Sequence, residues 1–91
     1  MALGIYIPHE GLTPDKYQQV LKQLSEAGAG APAGRTLHVA LESEGAINVF
    51  DIWESQEQFD AFGSTLVPIL TELGVKLNAP MVATVHNVIE G

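Results

Sequence analysis

Apolar residues along this chain recur with two different periods, and the switches between them mark out the elements. Residues 2–7, ALGIYI, form a short run rich in β-branched and aromatic side chains and closed by Pro8, which predicts a strand. The period then lengthens, with Tyr17, Val20, Leu21 and Leu24 at helical spacing. Thr13 is a good N-cap for this helix, Pro14 fits its first position, and Asp15 complements the dipole. The segment GAGAPAG, residues 28–34, ends it in a flexible turn. Alternation returns over RTLHVALE, residues 35–42, and INVFDIWE, residues 47–54, with turn residues SEGA between them. Ser55 opens a second helix, with Gln58 completing the capping-box pattern, and Phe59, Phe62, Leu66, Ile69, Leu70 and Leu73 line one face up to Gly74. Pro68 lies inside that pattern and predicts a kink or a split. A last strand begins after Pro80 and is expected to run to about Ile89.

The order strand, helix, strand, strand, helix, strand predicts one α+β domain over residues 1–91. It is a ferredoxin-like βαββαβ fold, a four-stranded antiparallel sheet with both helices on one face. With residues 43–46 as the turn, Leu37 pairs with Ile52, Val39 with Phe50 and Leu41 with Asn48, an apolar set expected to face the helices. The same register places His38 opposite Asp51, Ala40 opposite Val49 and Thr36 opposite Trp53 on the other, bare face. His86 and Tyr6 are expected to share that face. It is too apolar for open solvent and too polar for a plain core, so something else is expected to cover it.

Charge narrows the partners. Four Lys plus Arg against eleven Asp plus Glu leave a net charge of −7, which repels nucleic acid and anionic membrane surfaces. There is no cysteine, so disulfides, thiolate metal sites and cysteine nucleophiles are excluded. The start MALGIYIPHE lacks a basic n-region with a long apolar core, and no window approaches the roughly 18 apolar residues of a membrane span, so a cytoplasmic protein is expected. Ninety-one residues bury only roughly 60 to 68% of the unfolded surface, so a lone copy is modestly stable.

The candidate chemistry is a small constellation. His38 with Asp51 has the makings of a general base oriented by a carboxylate, against the simpler reading of a structural hydrogen-bonded pair. Trp53 is a candidate to stack on a flat ligand or to anchor an interface. His86 is a candidate to complete the site, and His9 and Glu10 are loop residues placed to close a cavity mouth. A metal set of His38, His86 and Asp51 is conceivable, but no tight ligand spacing supports it and none is expected. No G-x-S-x-G, P-loop or dinucleotide fingerprint is present, and GAGAPAG lacks the lysine of a phosphate cradle.

A strand ending in DIWES, a helix beginning SQEQFDAF and a last strand VATVHNVI after a proline together resemble the dimeric α/β-barrel superfamily. Within it, the chain is most similar to the antibiotic-biosynthesis-monooxygenase-like domains and their small bacterial relatives. The resemblance implies a homodimer closed through the bare sheet faces, with a cavity for a small aromatic or polycyclic molecule. It implies a cofactor-independent monooxygenase of quinol or polyketide type; joined to the residue reading, His38 and Asp51 are then the expected catalytic pair and Trp53, His86, Tyr6, Thr36 and Phe62 the expected ligand contacts. No cofactor is called for. The haem-degrading branch needs an Asn in the first strand and a Trp and a His in the second helix. Here the first strand has no Asn, the Trp position holds Phe62, and residues 55–74 contain no His. Of the Asn, Trp, Tyr and Arg used by the polyketide oxygenases, this chain offers Trp53 and Tyr6, with Arg35 as its only arginine. The alternatives are a non-catalytic structural or ligand-binding dimer, a cyclase or isomerase, and a regulatory module of the same fold.

Overall fold

The computed structural model describes residues 2–91. Its elements are β1 (Leu3–Ile7), β2 (His9–Glu10), α1 (Pro14–Glu26), β3 (Arg35–Ser43), β4 (Ala46–Trp53), α2 (Gln56–Glu72), β5 (Lys76–Leu77) and β6 (Met81–Thr84). Four strands form an antiparallel sheet in the order β3-β4-β1-β6, while β2 and β5 form a separate two-stranded ladder. With α1 and α2 on one face, this is the ferredoxin-like arrangement that the order of elements predicts.

Local chemistry explains the boundaries. Thr13 Oγ1 accepts from the Lys16 amide at 3.3 Å and Pro14 leads the first turn of α1. Ser55 Oγ accepts from the Gln58 amide at 3.2 Å, and its hydroxyl donates to Gln58 Oε1 at 2.9 Å, so Gln58 braces the cap through the serine side chain. The predicted split at Pro68 does not occur, since α2 runs on to Glu72. Pro68 is exposed, so the missing hydrogen bond falls where water replaces it. At the β3–β4 turn, Glu44 and Gly45 have φ of +52° and +79°, the positive pair that a tight two-residue hairpin requires.

That hairpin sets the predicted register: Leu37↔Ile52, His38↔Asp51, Val39↔Phe50, Ala40↔Val49 and Leu41↔Asn48. It fails at one place, because Trp53 pairs with Arg35 and Thr36 is left in a bulge. The larger correction concerns the faces. Asp51 is 2% exposed and Trp53 0%, and Trp53 packs in one core with Ile5, Ile7, Ile47 and Val49 of the sheet and Val20, Leu24, Phe62 and Leu70 of the helices. The His38/Asp51/Trp53 face is thus the helix-covered one. Leu37, Val39, Leu41, Phe50 and Ile52 lie on the bare face, where Leu37 and Leu41 are 42% and 52% exposed.

The last strand is also shorter than expected. Thr84 pairs with Leu3, and one further amide, Val85, donates to the Ala2 carbonyl at 2.9 Å. Residues 86–91 lie outside the sheet, and His86 is exposed.

Candidate functional site

The site grows from the cross-strand pair on β3 and β4. His38 and Asp51 are direct neighbours in the ladder and both point under the helices, so their side chains meet with His38 Nδ1 2.6 Å from Asp51 Oδ1. Two residues on, Trp53 shares that face, and its Nε1–H donates to Asp51 Oδ2 at 3.2 Å. Both oxygens of this buried carboxylate are therefore engaged, which is what allows it to lie in a core. Tyr17 comes down from the first turns of α1, and its hydroxyl lies 2.6 Å from His38 Nε2. The Tyr17 and His38 rings are nearly parallel, at 5°, with centroids 6.0 Å apart. That separation is too wide for face-to-face stacking and matches an edge-to-edge hydrogen bond between coplanar rings.

Burial raises the Tyr17 phenol above its ordinary pKa of 10, with the Asp51 charge pushing the same way and Arg35 opposing both. The phenol thus stays protonated at neutral pH and can donate to His38 Nε2; in that tautomer the imidazole carries its proton on Nδ1 and donates it to Asp51. In that tautomer Tyr17 donates to His38 and His38 to Asp51, while Trp53 donates to the other carboxylate oxygen, so both runs of donors end on Asp51.

A cavity of about 40 Å³ adjoins this chain. Tyr17, His38, Asp51, His9 and Arg35 supply its polar lining, and Leu24, Val49, Phe62 and Leu70 are among its apolar walls. Leu21 on α1 is its one exposed lining residue. The Arg35 guanidinium lies 5.6 Å from the centroid of the Phe62 ring.

The expected site residues therefore divide across the sheet. His38, Asp51 and Phe62 line the cavity. Trp53 is walled off by Phe59 and Phe62, with ring centroids at 5.7 Å and 5.3 Å, and touches the site only through its bond to Asp51. Tyr6 and His86 line a shallow groove of about 430 Å³ on the bare face. A metal set of His38, His86 and Asp51 is not assembled, because His86 stands on the opposite side of the sheet from the other two. Thr36 sits in the bulge, its hydroxyl donating to the Ile52 carbonyl at 3.4 Å. Tyr17 joins the site without having been singled out for it, and His9, expected at a cavity mouth, lines the cavity itself. Tyr17 reads as an ordinary apolar position of an amphipathic helix. His9 shares the parity of Ile5 and Ile7, which points it inward past Pro8.

Comparison with solved structures shows the class of fold. The chain is similar to a candidate antibiotic biosynthesis monooxygenase from Chloroflexus aurantiacus, at 18% identity and a TM-score of 0.66, covering 99% of this chain and 98% of that one. It is also similar to SnoaB, a cofactor-independent oxygenase from Streptomyces nogalater (14% identity, TM-score 0.61, 99% and 96% covered). A third likeness is to Rv0793 from Mycobacterium tuberculosis (14% identity, TM-score 0.59, 99% and 98% covered). A scan against family models finds no match, and neither does a search of curated proteins. The fold is that of the antibiotic-biosynthesis-monooxygenase-like proteins.

Proposed function

We propose that this chain is a cofactor-independent oxygenase acting on a small quinol- or polyketide-type phenol, and that it works as a homodimer. The observation that carries the reading is the Tyr17–His38–Asp51 chain, which ends in a largely apolar cavity. An acidic phenol or enol bound there gives its proton to the Tyr17 oxygen as the Tyr17 proton passes to His38 Nε2. Neither a free tyrosinate nor an unpaired imidazolium forms, since Asp51 is already bonded to Nδ1. The substrate carbanion then passes one electron to dioxygen, and the radical pair combines to a peroxide. That peroxide takes the proton back through Tyr17 and loses water, so a ring methylene and dioxygen become a carbonyl and water.

As it stands, the cavity has room for dioxygen or a few waters, whereas roughly 150 Å³ accommodates a benzene ring. Leu21 and Tyr17 both lie on α1, so substrate entry requires that helix to shift outward. The limited space favours a second reading, in which the interior is filled by its own side chains and the bare-face groove of about 430 Å³ takes the ligand without catalysis.

The second copy is proposed on the bare face. Met81, Leu37 and Leu41 are 65%, 42% and 52% exposed in one protomer, and no Asp, Glu, Lys or Arg lines the groove although the chain carries fifteen such residues. An uncharged face on so acidic a chain is suited to a second identical face related by a two-fold axis.

Dioxygen uptake over a panel of hydroquinones and polycyclic phenols tests the enzymatic reading. Uptake is expected with the wild-type chain, and His38→Gln is expected to slow it by about 10²- to 10⁴-fold. Uptake unchanged by that substitution contradicts the mechanism.

A further inference from the structure

Among the described residues, one buried side-chain nitrogen lacks any hydrogen-bond partner: Nδ1 of His9. Its backbone is held on several sides. The His9 amide donates to Asn48 Oδ1 at 2.9 Å, the Asn78 amide donates to the preceding Pro8 carbonyl at 3.0 Å, and His9 pairs with Leu77 in the β2–β5 ladder. This small ladder has no place in the four-stranded sheet, and one effect of it is to fix where the His9 ring sits.

His9 lines the cavity that Tyr17, His38 and Asp51 also line. Those three are committed to one another by bonds of 2.6 Å, whereas the buried Nδ1 of His9 has no partner. An unsatisfied buried nitrogen costs stability, and its retention in a cavity is explained when a ligand supplies the missing bond. Burial lowers the His9 pKa against the pull of the Ile7 backbone carbonyl and, more weakly, of the Asp51 charge, so the ring is neutral at pH 7 and can either accept from a hydroxyl or donate to a carbonyl.

We propose that His9 Nδ1 is the anchor for the oxygen of a small hydroxylated aromatic that enters the helix-side cavity as α1 shifts outward, its ring lying against the apolar wall. His9 is then a positioning residue: it orients one oxygen of the ligand while the Tyr17–His38 pair meets the acidic proton. The inference rests on reading this cavity as the ligand site.

The test uses the full chain labelled with ¹⁵N and two probes of nearly equal shape, phenol and toluene, titrated into the wild type, His9→Phe and His9→Gln. Phenol is expected to bind about tenfold more tightly than toluene to the wild type and to move the His9 imidazole resonances. That preference is expected to vanish in His9→Phe and to survive in part in His9→Gln. Equal binding of both probes with His9 resonances unmoved overturns the proposal and leaves a buried water as the partner of Nδ1. A phenol preference that persists in His9→Phe also overturns it, while leaving the catalytic reading of the cavity intact. Failure of both probes to bind overturns both readings. If neither variant folds, the wild-type His9 resonances decide alone.

Discussion

Asp51→Asn separates a structural from a chemical role for the carboxylate, because it keeps the shape and removes the charge. The amide can offer only one oxygen where the carboxylate offered two. If that oxygen faces Trp53 Nε1, the amide nitrogen faces His38 Nδ1 and forces the imidazole proton onto Nε2, toward Tyr17. If it faces His38, two donors oppose each other across the 3.2 Å Trp53 contact. The first arrangement is the cheaper one, and it fills the nitrogen that must accept a proton. Bonds to a charged acceptor contribute about 1.5–3 kcal/mol each against about 1 kcal/mol for neutral ones. Relief from burying a charge at 2% exposure offsets much of that loss. Stability in urea is therefore expected to fall by no more than about 2 kcal/mol. Turnover of a quinol substrate is expected to fall by about 10⁴-fold, the effect of locking a triad histidine in the wrong tautomer. An Asp51→Asn chain that folds normally and keeps turnover within a few-fold of wild type would refute the reasoning.

Gly34 has φ of +92°, and an added Cβ would lie 2.4 Å from the Gln58 side chain that braces the α2 cap. Gly34→Ala is expected to cost about 2–3 kcal/mol by denaturant unfolding, from left-handed strain plus a displaced cap. Glu44→Asn, at φ of +52° in the hairpin turn, is expected to stabilise by about 0.5–1 kcal/mol in the same assay. His9 is neutral when folded and protonates near its ordinary pKa of 6.5 when unfolded, so the unfolded chain binds more protons below that pH. The stability from its neutral burial is therefore present above 6.5 and is lost as pH falls toward the lower folded value. His9→Gln is expected to flatten that part of the profile. Sedimentation of the wild type is expected to give twice the chain mass, and Leu41→Glu, which puts charge on the bare face, is expected to give a monomer.

Elements and register were legible because each rests on local chemistry: the Thr13 and Ser55 caps, the Glu44–Gly45 hairpin and the alternation through β3 and β4. Which face of the sheet lay under the helices was not legible, and the reason is specific. Both faces of β4 are largely apolar, Ile47 and Val49 on one and Phe50 and Ile52 on the other, so hydrophobicity alone does not choose between them. The polar pair His38 and Asp51 then argues for the uncovered side, because a buried carboxylate is costly without partners. The pair is satisfied by Trp53, which donates to Asp51, and by Tyr17, which bonds His38 from a helix 21 residues earlier in sequence, and the second of these contacts exists only once the fold has formed. The end of β6 was not legible either, since VHNVIE has strand composition and yet β6 stops at Thr84. His9 was seen as a loop residue near a cavity mouth. Its inward direction depends on the β2–β5 ladder, whose two-residue strands give no periodic signal.

The central claim is that a Tyr17–His38–Asp51 chain under the helices holds one imidazole nitrogen ready to accept a proton. The ¹⁵N–¹H spectrum of the His38 ring in the wild-type chain near pH 8 tests it most directly. A proton fixed on Nδ1 and shifted well downfield by the 2.6 Å bond to Asp51 is expected, with Nε2 carrying none. A proton on Nε2, or rapid averaging between the two nitrogens, would mean that Asp51 does not set the tautomer, and the proposed base would be lost.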